Sequence, residues 1–186
     1  MNQNSWTTKG GVPKWIFLVI IIIISVMFLY ASYWDRPVAE ETVDEFYHAY
    51  FDKDFETMAQ NLSVFWSANF LPQYAYMDKD ELLASRPEIE KATVEMFTSI
   101  EGEEPMPSNI DVKILKEYTK QGENSALVVY EIVEGKTVAG TEAALLIQEE
   151  SGYKIFTMAS VDRATLQQLK DVDISILDEN FGHLLE

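Results

Sequence analysis

One long uncharged run constrains this chain more than any other feature. Residues 15–34, WIFLVIIIIISVMFLYASYW, contain no charged side chain. At a helical rise of about 1.5 Å per residue they span about 30 Å, the thickness of a bilayer's hydrocarbon core. Trp15 lies at one end and Tyr30, Tyr33 and Trp34 lie at the other, and such aromatic rings favour the headgroup level of a membrane. We therefore predict a transmembrane helix over residues 15–34, with these four aromatic residues as its anchors.

The same run fits a cleaved signal peptide or a soluble core helix less well. A signal peptide has an apolar region of about 7 to 15 residues followed by small residues, whereas this run is longer, and Ala31 and Ser32 have bulky neighbours. A helix of a soluble domain usually keeps a polar face, and the isoleucines at 20–24 leave none. We expect the span to be retained as an anchor in the lipid bilayer.

The charges on either side of the run predict its orientation. Lys9 and Lys14 precede it with no acid, whereas all 31 Asp and Glu residues follow it. Positively charged flanks stay in the cytoplasm, so we expect a cytoplasmic segment over residues 1–14 and an extracytoplasmic part over residues 35–186 of a single-pass cell-membrane protein. The acidity of that outer part argues against a nucleic-acid partner. The chain has no Cys, which excludes disulfides and thiol chemistry.

The first part of the outer region has the apolar spacing of amphipathic helices. The stripe consists of Val43, Phe46, Tyr47, Tyr50, Phe51, Phe55, Met58 and Leu62. Asp54 can cap a restarted helix, so we predict helices over about 38–52 and 55–61. Residues 63–77 are rich in aromatics and contain a proline, and they predict a short strand and a loop. Asp78 and Ser85 each predict the start of a further helix, the second with a capping box and Pro87 in its first turn.

The second part of the outer region changes to the period of strands. Four runs are rich in β-branched and aromatic residues: IDVKILKEYTK, ALVVYEIVEG, TVAGTEAALLIQE and YKIFTMAS. Their short connections predict antiparallel pairing. Ala126, Val128, Tyr130 and Ile132 share one strand face, as do Ala143, Leu145 and Ile147. We therefore predict an α+β domain over residues 35–162, in which helices pack on a curved antiparallel sheet of about four strands.

This order of elements resembles the NTF2-like superfamily. The resemblance covers about residues 38–162 and includes a long first helix, the restart DFETMA at Asp54–Ala59, a third helix and a bent antiparallel sheet. It implies a cone with an apolar pocket, in a family that contains isomerases, dehydratases and many non-catalytic domains. A single span followed by such a domain is also similar in layout to the VirB8-like assembly proteins and to Mce-associated membrane proteins.

Side chains that could carry catalysis are few. His48 lies off the apolar stripe and should face solvent, and His183 lies in the acidic tail. Glu142 is the best candidate acid, because it shares a strand face with residues 138, 140, 144 and 146, but alternation favours a solvated position. We therefore predict no catalytic residue.

A metal site or a cofactor site is not expected either. In DVDISILDEN, residues 171–180, alternate acids begin like a calcium loop. Position six is Ile176 instead of Gly and position twelve is Gly182 instead of Glu, so the match fails. No phosphate-binding loop or zinc spacing is present in the sequence. We predict neither a metal nor a cofactor.

Aromatic residues are the remaining candidates for a site. Core packing is the simpler explanation for most of them, but pockets are mainly apolar with a few polar groups, and Tyr supplies both. A low-ranking set of candidate pocket residues comprises Tyr47, Tyr50, Trp66, Phe70, Tyr74, Tyr76 and Phe97.

The acidic tail over residues 163–186 has apolar residues at spacings of three to five, which predicts helix. We expect it to dock on its own domain in preference to a partner. The whole pattern predicts a membrane-anchored extracytoplasmic binding or scaffold domain, non-catalytic, that engages a protein partner or a second copy. The alternative is an NTF2-like pocket domain that binds a small apolar ligand or acts as an isomerase or dehydratase.

Overall fold

The structure is a computed structural model, and it describes Phe17 and residues 20–27, 39–100 and 109–186. The chain divides into two compact units between Arg36 and Pro37. The second unit holds several helices and an antiparallel sheet, as the sequence predicts.

Little of the predicted span falls on the part of the first unit that is described. Residues 20–27 are helical, and their side chains are exposed. Most of the run at 15–34 lies outside the described residues, and so do its proposed anchors Trp15, Tyr30, Tyr33 and Trp34. Within the described ranges, no helix has the length and apolarity needed to cross a bilayer.

Among the described residues of the second unit, five helices precede the sheet, and three of them begin at side-chain caps. They are α1 (Ala39–Asp52), α2 (Phe55–Asn61), α3 (Val64–Phe70), α4 (Lys79–Ala84) and α5 (Arg86–Ile100). Asp54 accepts a hydrogen bond from the Thr57 N–H, and Asp78 accepts one from the Glu81 N–H. These bonds satisfy amides that a helix start leaves free. The predicted helices at 38–52 and 55–61 and the helix start at Asp78 are confirmed.

The prediction of a strand within residues 63–77 is wrong, because α3 occupies Val64–Phe70. The Ser63 hydroxyl accepts from the Phe65 N–H at 3.2 Å and caps this helix. Val64 and Ala68 are buried on one of its faces and belong to a second, smaller core. The strand preference of aromatic residues is weak beside such packing and capping.

The sheet follows the order β1-β3-β4-β5, and β2 pairs with β3. Its strands are β1 (Ile110–Ile114), β2 (Lys120–Gln121), β3 (Ser125–Glu134), β4 (Thr137–Glu149) and β5 (Gly152–Ser160). All pairings are antiparallel, as predicted, and a turn divides the first predicted run into β1 and β2. Register shifts at Ile132/Val133 and at Leu145/Leu146 mark irregularities that bend strands.

The main core lies between α1 and one face of this sheet. Val43 and Phe46 of α1 pack there with Ala126 and Val128 of β3. In the register, Ala126 pairs with Leu146 and Val128 pairs with Ala144, so the even-numbered residues of β4 join that core. Ala143, Leu145 and Ile147 share a face, but it is the opposite one. Alternation alone could not decide between the faces, because Ile147 is buried as well.

The acidic tail forms two helices, α6 (Arg163–Leu169) and α7 (Ile174–Leu185). The α7 helix contacts β3, and its buried Phe181 meets Phe156 edge to face at 5.0 Å. Asp178 accepts backbone hydrogen bonds of 3.1, 2.7 and 2.8 Å from residues 123, 124 and 125. The predicted docking of the tail on its own domain is confirmed for α7.

Candidate functional site

Three oxygen atoms meet on the face of the sheet that α1 covers. Tyr130 of β3 and Glu142 of β4 are direct cross-strand partners, so their side chains lie side by side. Tyr47 reaches them from α1. Its hydroxyl lies 2.8 Å from the Tyr130 hydroxyl and donates to Glu142 Oε2 at 2.8 Å, and Tyr130 donates to the same Oε2 at 2.9 Å. We call Tyr47, Tyr130 and Glu142 the oxygen trio.

Burial keeps the two tyrosines of the trio neutral. Tyr130 is fully enclosed and Tyr47 nearly so, whereas Glu142 is half-buried. Loss of solvation is the largest cause that raises the pKa of both hydroxyls above their usual value, and the neighbouring Glu142 carboxylate raises both further. Both hydroxyls therefore act as hydrogen-bond donors over the physiological range of pH.

The surroundings of the trio are mainly apolar. The Met158 sulfur lies 3.8 Å from the Tyr47 hydroxyl, and Ser160 of β5 pairs across the sheet with Glu142. Partly buried hydrophobic side chains border the same core: Tyr50, Phe51, Phe55, Trp66, Phe97, Ile114, Ile132 and Met158. A mostly apolar surface with a few polar groups is the usual composition of a small-molecule site.

Open space lies next to Glu142. Gly140 is two residues before it on β4, on the same face, and pairs with Ile132. A Cβ atom placed at Gly140 would meet no atom of the described structure within 4 Å. The sheet surface beside the trio therefore has room for an added group.

The predicted pocket residues lie in several places. Tyr47 belongs to the trio, and Tyr50, Trp66 and Phe97 are half-buried against the same core. The Trp66 ring lies 4.4 Å from Phe70 and 6.0 Å from Phe97, measured between ring centroids. Trp66, Phe70 and Phe97 form one aromatic group beside the core, and whether the predicted residues line a ligand pocket stays a prediction.

The other two predicted pocket residues lie apart from the trio. Tyr74 packs with the second core, around Val64 and Leu82. Tyr76 is 98% exposed, in the turn after α3.

The placement of Glu142 on a solvated strand face is wrong. The structure gives it two tyrosine donors and a half-buried position. Glu142 shares its strand face with Ala144 and Leu146, and the structure shows that both are fully buried. Alternation in the sequence places Tyr130 on an apolar strand face, where a buried tyrosine hydroxyl usually needs a polar partner.

Both histidines lie outside the trio, on the surface as predicted. The His48 side chain is 55% exposed, and its Nδ1 lies 2.8 Å from the Asp44 carbonyl oxygen. That backbone hydrogen bond is the main cause that raises the pKa of His48, with help from the carboxylates of Asp44 and Asp111. The exposed His183 lies near Glu186 at the end of α7.

A buried ion pair joins the helices to the sheet at another place. Arg86, at the start of α5, contacts Glu149, at the end of β4, and also pairs with Glu90 at 3.0 Å. The Glu149 side chain is only 1% exposed. A cavity of about 350 Å³ adjoins the pair and is lined by Asp80, Leu83, Ala84, Arg86, Glu149, Glu150 and Ser151.

Comparisons with known proteins add no assignment to these sites. The chain matched no protein-family model, no curated protein and no solved structure. Among the described residues, no group of three or more His, Asp and Glu side chains is arranged to hold a metal ion.

Proposed function

We propose that residues 37–186 form a non-catalytic binding domain that holds a small, mainly apolar ligand beside Tyr47, Tyr130 and Glu142. The observation that carries this proposal is the oxygen trio next to the open space at Gly140. It supplies the few fixed polar groups, and the half-buried hydrophobic side chains supply the apolar wall.

The presence of an acid supports binding over a purely structural role. Tyr47 and Tyr130 lie within hydrogen-bond distance of each other, but a bond between them uses only one of their two protons, so Glu142 Oε2 supplies an acceptor that the buried pair needs. A half-buried carboxylate at an apolar surface loses solvation, which destabilises a fold unless the group is well paired. One Glu142 oxygen serves the two tyrosines, and the other is left for a ligand.

Binding without catalysis is the simplest role for this arrangement. General acid–base catalysis uses a group that is tuned and aimed at the reacting atom. One Glu142 oxygen already accepts from two hydroxyls, and both histidines lie on the surface. Isomerase or dehydratase chemistry, which the NTF2-like resemblance allows, would need a further group.

The proposal extends to location and relationship. We infer an anchor in the cell membrane from the apolar run at 15–34, and an extracytoplasmic position for the domain from the basic residues before that run. An NTF2-like relationship is part of the same proposal. Its support is the order of helices followed by a bent antiparallel sheet, with α1 against one face.

Binding of a protein partner or of a second copy is the second candidate. Phe70 is 56% exposed, and the Tyr76 ring is almost fully exposed after the same helix. Large exposed aromatic side chains are common at protein interfaces. Neither residue belongs to the trio, so variants at Phe70 and Tyr76 test this function separately.

Native mass spectrometry of the full-length protein, released from detergent, tests the ligand proposal. We expect wild type to carry an added small mass and Gly140→Leu to lose it, because the leucine fills the open space. The matched control is Ala139→Leu, since Ala139 is exposed and is the next residue on the strand. A clean wild-type mass, or an added mass kept by Gly140→Leu, would contradict the proposal. A clean dimer would favour the second candidate.

A further inference from the structure

The hydrogen bonds of the oxygen trio limit what a ligand can offer. Two tyrosine hydroxyls supply two protons, yet the three oxygens make three contacts of 2.8 to 2.9 Å. A carboxylate contributes lone pairs and no proton. Both hydroxyl protons are therefore engaged within the trio, and neither tyrosine has a proton to spare for a ligand.

The second oxygen of Glu142 has capacity left. Both tyrosine bonds go to Oε2. Within the described part of the chain, no donor makes a hydrogen bond to Oε1. A carboxylate oxygen accepts more than one hydrogen bond, so Glu142 offers an acceptor to whatever enters the space beside Gly140.

We propose that the ligand carries a hydrogen-bond donor, a hydroxyl or a protonated amine, at one end of an apolar body, and that this donor binds Glu142 Oε1. This inference rests on the proposed function, because it names the head group of the ligand for the same site. The apolar body lies along the half-buried hydrophobic side chains, among them Ile132 and Met158.

Ligands that end in a carbonyl or a carboxylate are disfavoured for the same reason. A carbonyl oxygen brings only lone pairs to a site that presents lone pairs, so one tyrosine would have to leave Glu142 to serve it. A carboxylate adds the repulsion of two like charges. A site built to pair with a donor discriminates strongly against an analogue without one, because a polar group of the site stays unpaired.

Ser160 is a nearby hydroxyl to consider separately. It pairs across β5 and β4 with Glu142 and is exposed. Its hydroxyl both donates and accepts, so it could serve a ligand of either kind. Replacing it by alanine removes that contribution and leaves the trio intact.

A series of four ligands on one naphthalene body tests the inference. The probes are 2-naphthylmethanol, 2-naphthylmethylamine, 2-naphthaldehyde and 2-naphthoate, titrated by calorimetry into the full-length protein in lipid nanodiscs, with empty nanodiscs subtracted. We expect the alcohol and the amine to bind at least about tenfold more tightly than the aldehyde and the carboxylate. Ser160→Ala should keep this order.

Variants at Glu142 complete the test. Glu142→Gln should remove the preference, because an amide offers both a donor and an acceptor. Glu131→Gln is the matched control, since Glu131 lies one residue from Tyr130 on β3 and pairs with Lys113. If the aldehyde binds as tightly as the alcohol, or if Glu142→Gln keeps the wild-type order, the inference is overturned while the proposed function stands. Failure of all four probes to bind would overturn the proposed function and, with it, this inference.

Discussion

Tyr130 has the most enclosed hydroxyl of the oxygen trio. No part of its side chain is open to solvent, and its hydroxyl contacts both Tyr47 and Glu142. Such a group is stable inside a protein only when its partners stay in place. The trio therefore contributes to the stability of the fold.

Tyr130→Phe is expected to destabilise the domain by about 1 to 3 kcal/mol, because it removes the donor to Glu142 and leaves Tyr47 as the remaining partner. Urea unfolding measures the change. Tyr76→Phe is the control, since its ring is almost fully exposed, and it should leave the midpoint unchanged. Equal midpoints for the two variants would contradict a role of the trio in stability.

The raised pKa values of Tyr47 and Tyr130 predict a change at alkaline pH. Folding favours their neutral form, so this contribution is fully present below the usual tyrosine pKa of about 10 and is lost as pH rises toward the folded-state values. Absorbance at 295 nm should show two of the nine tyrosines ionising only when the domain unfolds. Ionisation of all nine near pH 10 in folded protein would argue against their burial.

At the scale of elements, two of the contacts that join helices to the sheet can be tested one by one. The Arg86–Glu149 pair joins α5 to β4, and Asp178 joins α7 to the turn before β3. Each contact pairs a charged side chain with groups far away in sequence. Removing one partner leaves the other group buried without its ion pair or hydrogen bonds, which destabilises the fold.

Glu149→Gln is expected to destabilise the domain by about 3 kcal/mol, the low end for a broken buried ion pair, because Arg86 keeps its contact with Glu90. Lys113→Gln breaks the exposed pair with Glu131 and should change the free energy of unfolding by about 1 kcal/mol or less. Chemical denaturation compares the two. A loss for Glu149→Gln no larger than that of Lys113→Gln would contradict the importance of the buried pair.

Asp178 should make the docking of α7 sensitive to acid. Burial alone would raise its pKa, but hydrogen bonds from the amides of residues 123–125 and from the Ser125 hydroxyl lower it. The stabilisation is therefore present above the usual aspartate pKa of about 4 and is lost as pH falls through the folded-state value.

Hydrogen exchange of α7 measures this effect. Asp178→Asn should reduce protection at neutral pH and flatten its dependence on pH, whereas the exposed neighbour Glu179→Gln should behave as wild type. Unchanged protection in Asp178→Asn would mean that Phe181 alone holds the helix.

The sequence predicts the elements whose signals are local. Asp54 and Asp78 begin helices where a capping residue is expected. The missed helix α3 also has a local signal, the Ser63 cap, but its aromatic content hid it. The inner face of β4 was not predictable in this way, because both of its faces carry apolar residues and only the pairing register decides between them.

At the scale of the whole molecule, the predicted membrane anchor can be tested separately from the second unit. The full-length protein should sediment with membranes, and a variant without residues 15–34 should stay in the soluble fraction. The physical reason is the transfer of an uncharged run of this length from water to lipid. Cell fractionation tests this prediction. The control is a variant with lysine at residues 21 and 23, which keeps the length of the run but makes it charged. A full-length protein that stays soluble would contradict the anchor.

The candidate site itself depends on the assembled molecule. Tyr47 comes from a helix, and Tyr130 and Glu142 come from two strands. Sequence patterns predict each of these elements, but they do not fix which residues of β3 and β4 lie opposite each other. The trio could therefore be proposed only with the pairing register known.

The contact between Asp178 and the turn before β3 also affects the order in which parts of the domain fold. It joins residues 53 to 55 positions apart in the chain, and pairings this distant form late because a long loop must close first. A growing chain can build its hairpins earlier, but it cannot complete this contact until residue 178 has been made. Any factor that holds back α7 would therefore keep newly made molecules in an immature form.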